Sequence, residues 1–137
     1  MKKPLNLMEV LGECVEHISF LIEECKNTLS SGDPGQVAIT SCKKGVIHLM
    51  NLLKEATRTI STMLEQTKEE RVTSKLNTLT YFIDDMYRRL EPNDPSSLAS
   101  CLRDEQLDGA RICLNKLTGD VKELQGLYEG LRRVEEG

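Results

Sequence analysis

Cys14 and His17 are the closest cysteine–histidine pair in the chain, three residues apart within a helical pattern. That spacing places both side chains on one side of a helix, where they could contact the same metal ion. A zinc site needs two further ligands, and no suitably spaced pair is nearby. A di-iron bundle needs Glu-x-x-His on two helices, but neither His17 nor His48 has Glu three residues before it. The sequence therefore predicts neither a metal site nor a cofactor.

His48 is the second candidate, as the phosphorylated residue of a histidine phosphotransfer bundle. In that family the histidine is followed by a basic residue and then glycine. Here Lys44-Gly45 precede His48, and Leu49-Met50 follow it. The order argues against this interpretation, so phosphotransfer is the less favoured alternative.

The five cysteines are an odd number, and none forms a CxxC pair. They are Cys14, Cys25, Cys42, Cys101 and Cys113. A nucleophilic thiol needs a histidine base and an exposed, electropositive setting, whereas these residues follow apolar stripes. We expect them to pack as small apolar residues in a reducing compartment. The N-terminal segment has no apolar signal-peptide core, so the expected location is cytoplasmic. No catalytic residues are predicted, and enzymatic activity is not expected.

Composition favours a helical domain. The chain has 137 residues, 39% of them hydrophobic but only 4% aromatic, so its core must be mainly aliphatic. Such cores suit helix-on-helix packing better than sandwiches or barrels. The net charge of −4 gives no support for binding nucleic acid, which usually requires a basic face. No apolar run approaches the ~20 residues of a transmembrane helix.

Apolar residues recur every three or four positions over four long segments, which predicts amphipathic helices. The predicted helices lie near 5–30, 36–66, 68–90 and 104–134, in one domain covering 1–137. The second is the strongest helical prediction. Its stripe comprises Ile39, Cys42, Val46, Leu49, Leu53, Ala56, Ile60 and Met63. The last has a heptad-like seam of Leu107, Ala110, Leu114, Leu117, Val121, Leu124, Tyr128 and Leu131.

Short connections separate these segments. Gly and Pro mark the break at 30–35 and two prolines mark the break at 91–96, whereas the break near 66–68 contains neither residue type. A short helical turn over 98–102 is compatible with the pattern. Because short connections favour antiparallel neighbours, we expect an all-α, up-down-up-down four-helix bundle, with room for one extra short helix.

Two basic pairs are candidate binding residues, Lys43-Lys44 and Arg88-Arg89. Cations near a helix C-terminus also complement the helix dipole, which is a sufficient structural reason for Arg88-Arg89. The functional interpretation is a patch for an acidic partner or for phosphoinositide headgroups.

Several apolar residues lie beside the stripes, notably Val15, Ile22, Ile47 and Leu52. A wide apolar face is normal in a bundle core. On the first helix, however, it is wider than a four-helix bundle requires. We therefore expect these four residues to line a groove that receives an amphipathic helix of a partner protein.

The segments Ser31-Gly32-Asp33-Pro34 and Asn93-Asp94-Pro95, with long helices and few aromatics, resemble bundles of the vinculin, α-catenin and talin type. The segment Asp104 to Arg111, followed by a Leu-rich helix, is similar in style. The resemblance covers most of the chain and is one of pattern. It implies a scaffold role through the binding of a peptide helix. The prediction is therefore a non-enzymatic scaffold or adaptor domain, and the alternative is a bundle that self-associates through its first or last helix.

Overall fold

The computed structural model describes residues 6–30 and 32–136, and every regular element within them is a helix. The helices are α1 (Leu7–Leu29), α2 (Gln36–Gln66), α3 (Glu70–Leu90), α4 (Leu98–Arg103) and α5 (Leu107–Glu136). The predicted all-α class is confirmed. The long helices begin and end within three residues of the predicted bounds where the structure describes them. The predicted start of the first helix at residue 5 lies outside the described residues.

Side chains and extended residues define the first two helix boundaries. The Asn6 side chain caps α1 by accepting bonds from the backbone N–H groups of Met8, at 3.1 Å, and Glu9, at 3.4 Å. Between α2 and α3, Thr67 and Glu69 both adopt extended backbone conformations. The Thr67 hydroxyl accepts a bond from the Glu69 N–H at 3.3 Å. A polar turn therefore separates two helices without Gly or Pro.

The turn from α4 to α5 is a Schellman motif. The Gln106 N–H donates to the Cys101 carbonyl at 2.8 Å, and the Glu105 N–H donates to the Leu102 carbonyl at 3.3 Å. Glu105 occupies the left-handed position with φ 57°, where glycine is usual. Its carboxylate accepts a bond from the Gln36 side chain at 2.8 Å. This turn explains why α5 begins at Leu107 and not near 104.

The connection from α3 to α4 is held by its own polar groups. Asp94 accepts bonds from the Ser96 N–H, at 2.9 Å, and the Ser96 hydroxyl, at 2.8 Å. These bonds keep the pKa of Asp94 below its usual value. The buried Ser100 hydroxyl donates to the Pro92 carbonyl at 2.9 Å. The loop is therefore a fixed wall beside α4.

Each long helix packs against two other long helices: α1 against α2 and α5, and α3 against α2 and α5. The short α4 contacts α2, α3 and α5. Arg111 Nε donates to the Leu29 carbonyl at 2.9 Å, and Gln125 donates to the Ser19 hydroxyl at 3.1 Å. Later residues of α5 therefore contact earlier residues of α1.

The core is aliphatic, as expected, and it includes all five cysteines, which are buried free thiols. The prediction that they pack as apolar residues is confirmed. Within the heptad-like seam of α5, Leu107 and Tyr128 are half-buried and the other six residues are buried. This seam therefore packs against the other helices of the same chain. None of the described helices is long and apolar enough to cross a membrane.

Candidate functional site

The four apolar residues predicted to line a groove divide into two groups. Val15, Ile22 and Leu52 are only 4%, 2% and 6% exposed. They are core residues, because α1 and α2 each need a wide apolar face to contact more than one neighbour. The expectation of an open apolar groove is therefore corrected for Ile22 and Leu52, whereas Val15, although buried, borders the opening between α1 and α5 described below. Ile47 is different, since 62% of its surface is exposed.

Lys43 and Lys44 are both exposed on α2, one turn before Ile47. Lys43, Ile47, Lys54 and Arg58 are spaced by four, seven and four residues, which places them along one side of that helix. Lys44 lies about 100° further around the helix. One side of α2 therefore carries a stripe of three basic residues and one exposed apolar residue, Ile47.

Beside this stripe, the α2–α3 groove opens between Leu53, Lys54, Thr57 and Arg58 of α2 and Ile83, Asp84 and Tyr87 of α3, with a volume of about 430 Å³. Leu53 and Ile83 form its floor, and Tyr87 is half-buried in its wall. The Lys54 ammonium lies 5.7 Å from the centre of the Tyr87 ring, within cation–π range. The groove therefore has an apolar floor and cations on its α2 edge.

Arg88 and Arg89 line a second opening, the cationic cleft, where the end of α3 meets the 94–97 loop and α5. Its volume is about 500 Å³. The lining residues are Arg88, Arg89, Asp94, Pro95, Ser96, Ser97, Cys101, Gln106, Gly109, Ile112, Cys113 and Lys116. Arg89 Nε lies 3.1 Å from Asp120 Oδ2 of α5. Sequence reasoning found the two arginines but not Lys116 or the 57% exposed Ile112. The sequence feature that could have indicated this cleft is Ile112, an apolar residue off the α5 stripe that is followed one turn later by Lys116.

Two thiols form the inner wall of the cationic cleft. Cys113 Sγ donates to the Ser96 carbonyl at 3.0 Å, and Cys101 Sγ lies 4.0 Å from the same oxygen. Burial raises the pKa of both thiols. At Cys113 the cations Lys116 and Arg89 act in the opposite direction. These thiols are held as neutral donors and are not activated nucleophiles.

A third opening lies between α1 and α5 and is acidic at its rim, with Glu9, Glu13, Glu16 and Glu129 among its lining residues. The Tyr128 hydroxyl donates to the Met8 carbonyl at 3.0 Å. Gly12 lies under this ring, so that a side chain at position 12 would meet the phenol.

Both histidines are exposed, His17 on α1 and His48 on α2. Within residues 6–30 and 32–136, no group of three or more His, Cys, Asp or Glu side chains is arranged to hold a metal ion.

The Cys14 thiol should react slowly with alkylating agents in the folded protein. Burial, with smaller effects of Glu55 and Glu13, raises its pKa to about 11. At pH 8 only about one thiol in a thousand is then ionised. We expect iodoacetamide to label Cys14 much more slowly in the native chain than in urea, as measured by peptide mass spectrometry. Equal rates in the two states would contradict its burial.

Comparison with protein-family models, curated proteins and solved structures finds no match to this chain.

Proposed function

We propose that this chain is a non-enzymatic, cytoplasmic scaffold domain that binds an amphipathic helix of a partner protein. The fold proposed for it is an antiparallel up-down-up-down four-helix bundle, similar to those of the vinculin, α-catenin and talin type. The ring of contacts α1–α2–α3–α5–α1 supports this arrangement. So does the opposite direction of the contacts between α1 and α5.

The observation that carries the proposal is the α2–α3 groove. Its floor is apolar, and a partner helix laid there would add a fifth long helix beside two existing ones. Lys54 and Arg58 edge the groove, and Ile47 is exposed along the same side of α2. The occupant that fits is a helix whose apolar stripe is flanked by Asp or Glu on the side that faces Lys54 and Arg58, away from Asp84 of α3.

A designed peptide gives a direct test. Its Leu stripe is flanked by Glu, and its twin has the same stripe flanked by Lys. We expect the Glu-flanked peptide to bind the full chain more tightly in fluorescence anisotropy. The double substitution Lys54→Glu and Arg58→Glu should weaken this binding by about tenfold or more, because two favourable charge contacts become repulsive.

Lys122→Glu on α5 is the matched control, since Lys122 is exposed and does not line the groove. If the control weakened binding as much as the double variant, the attraction would be a general charge effect and the groove assignment would be wrong. Absence of binding by the Glu-flanked peptide, or preference for its Lys-flanked twin, would also overturn the proposal.

The self-associating alternative has less support. It relied on the seam of α5 or on the wide face of α1 pairing across a dimer. Leu114, Leu117 and Leu124 of the seam are at most 1% exposed, and Val15 and Ile22 of α1 are also buried. Such pairing would require the chain to open, so the binding of a partner helix is the function we favour.

A further inference from the structure

The cationic cleft combines features that the proposed binding of a helix does not use. Its lining contains three cationic side chains and one carboxylate, a surplus of two positive charges. The whole chain has a net charge of −4, so this surplus is local and opposite in sign to the molecule. Its volume of about 500 Å³ lies within the range typical of small-molecule sites.

Two of these cations have no ion-pair partner among the described residues. Neither Arg88 nor Lys116 forms an ion pair with any residue in the described part of the chain. Arg88 lies in the last turn of α3, where it complements the helix dipole. Lys116 lies within α5, far from either helix end, and gains nothing from the dipole. Lys116 is exposed, so its ammonium is available to a ligand that enters the cleft.

The carboxylates near the cleft are already occupied. Asp94 accepts two bonds from Ser96, which hold it against its own loop. Asp120 is not among the lining residues, but it contacts Arg89 Nε from the α5 side. Burial raises the pKa of Asp120, and Arg89 opposes that effect. An incoming anion would therefore compete with Asp120 for Arg89, while Arg88 and Lys116 have no such competitor.

We propose that the cationic cleft binds a phosphate monoester carried on an apolar body. A phosphate monoester has a charge of about −1.5 to −2 at neutral pH, which matches the two positive charges of Arg88 and Lys116 better than a single carboxylate does. Arginine presents paired N–H donors that fit phosphate oxygens, and lysine adds a point charge. Ile112 offers an exposed apolar surface at the rim for the rest of the ligand.

Titration of the full chain by NMR, following backbone amide shifts, tests this site. The probes are phenyl phosphate, inorganic phosphate and benzoate at constant ionic strength. We expect phenyl phosphate to bind most tightly, with shifts concentrated at 88–89, 94–97 and 106–116. Arg88→Gln and Lys116→Gln should each weaken it by about tenfold, as expected when a charged hydrogen-bond donor is lost. Ile112→Ser should reduce the advantage of phenyl phosphate over inorganic phosphate.

Two further variants distinguish a built site from general attraction. Asp120→Asn removes the competitor for Arg89 and should tighten binding of phenyl phosphate, provided that thermal melting shows an intact fold. Lys122→Gln removes an exposed lysine of α5 outside the cleft and should leave binding unchanged. Equal weakening by Lys122→Gln and Lys116→Gln would overturn the proposal, as would benzoate binding as tightly as phenyl phosphate.

A second pair of probes distinguishes a phosphoprotein from a small metabolite as the source of the phosphate. The probes are a short tyrosine-phosphorylated peptide and its unphosphorylated form. Tighter binding of the phosphopeptide than of phenyl phosphate would support a phosphoprotein source, and weaker binding would support a small metabolite. Failure of every phosphate monoester to shift the cleft residues would exclude both. The proposed binding of a helix at the α2–α3 groove would be unaffected, because it depends on different residues.

Discussion

Ile22→Ala is expected to lower the free energy of unfolding by about 2–5 kcal/mol. Ile22 of α1 is 2% exposed and belongs to the hydrophobic core, so the substitution removes buried methyl groups and leaves a cavity. The matched substitution Ile47→Ala, at a residue 62% exposed on α2, should change stability by no more than about 0.5 kcal/mol. Urea denaturation followed by circular dichroism measures both values.

This pair of variants also separates folding from binding. Ile47→Ala should weaken binding of the Glu-flanked peptide while the fold is unchanged, because Ile47 lies along the same side of α2 as Lys54 and Arg58. If both variants destabilised the chain equally, Ile47 would be packed and could not contribute an open apolar surface. A small effect of Ile22→Ala would instead mean that α1 does not bury its wide face.

Hydropathy periodicity predicted the helices well, because each long helix repeats its apolar residues over many turns. It placed the centre of the α1 stripe imprecisely. The alternating spacing of four and three from Leu7 through Leu11, Cys14 and Ile18 predicts Leu21 as the next stripe residue. Leu21 is half-buried, however, whereas its neighbour Ile22 is buried. A helix that contacts two partners needs an apolar arc wider than one row of side chains. The wide apolar face of α1, which suggested an open groove, is therefore explained mainly by its packing on α2 and α5.

The α4–α5 turn could not be predicted from composition. Its left-handed position holds Glu105 and not glycine, so the usual signal was missing. The cationic cleft was only half predictable. Arg88 and Arg89 are adjacent in sequence, but Lys116 reaches the same opening only because α3 and α5 pack together. Such long-range placement has no local pattern for a single sequence to reveal.

Replacing both Gly119 and Gly126 with alanine is expected to stabilise the chain by about 2 kcal/mol and to raise its melting temperature by about 6 °C. Both glycines are exposed within α5, and a Cβ added to either meets no atom within 4 Å. Alanine therefore gains helix propensity of about 1 kcal/mol at each position without a steric cost. Thermal and urea denaturation of the double variant measure this gain.

Gly12→Ala is the matched control, because the same substitution meets a different environment in α1. A Cβ at position 12 would lie 2.5 Å from Tyr128 Oη and 2.9 Å from its Cζ. The ring would have to move and give up its 3.0 Å bond to the Met8 carbonyl. Overpacking costs about 1–3 kcal/mol, which offsets the gain in propensity, so no stabilisation is expected. If Gly12→Ala stabilised the chain as much as either α5 variant, the close packing of Tyr128 on α1 would be wrong. The contrast would show that α5 tolerates its outward-facing glycines, whereas the α1–α5 contact requires Gly12.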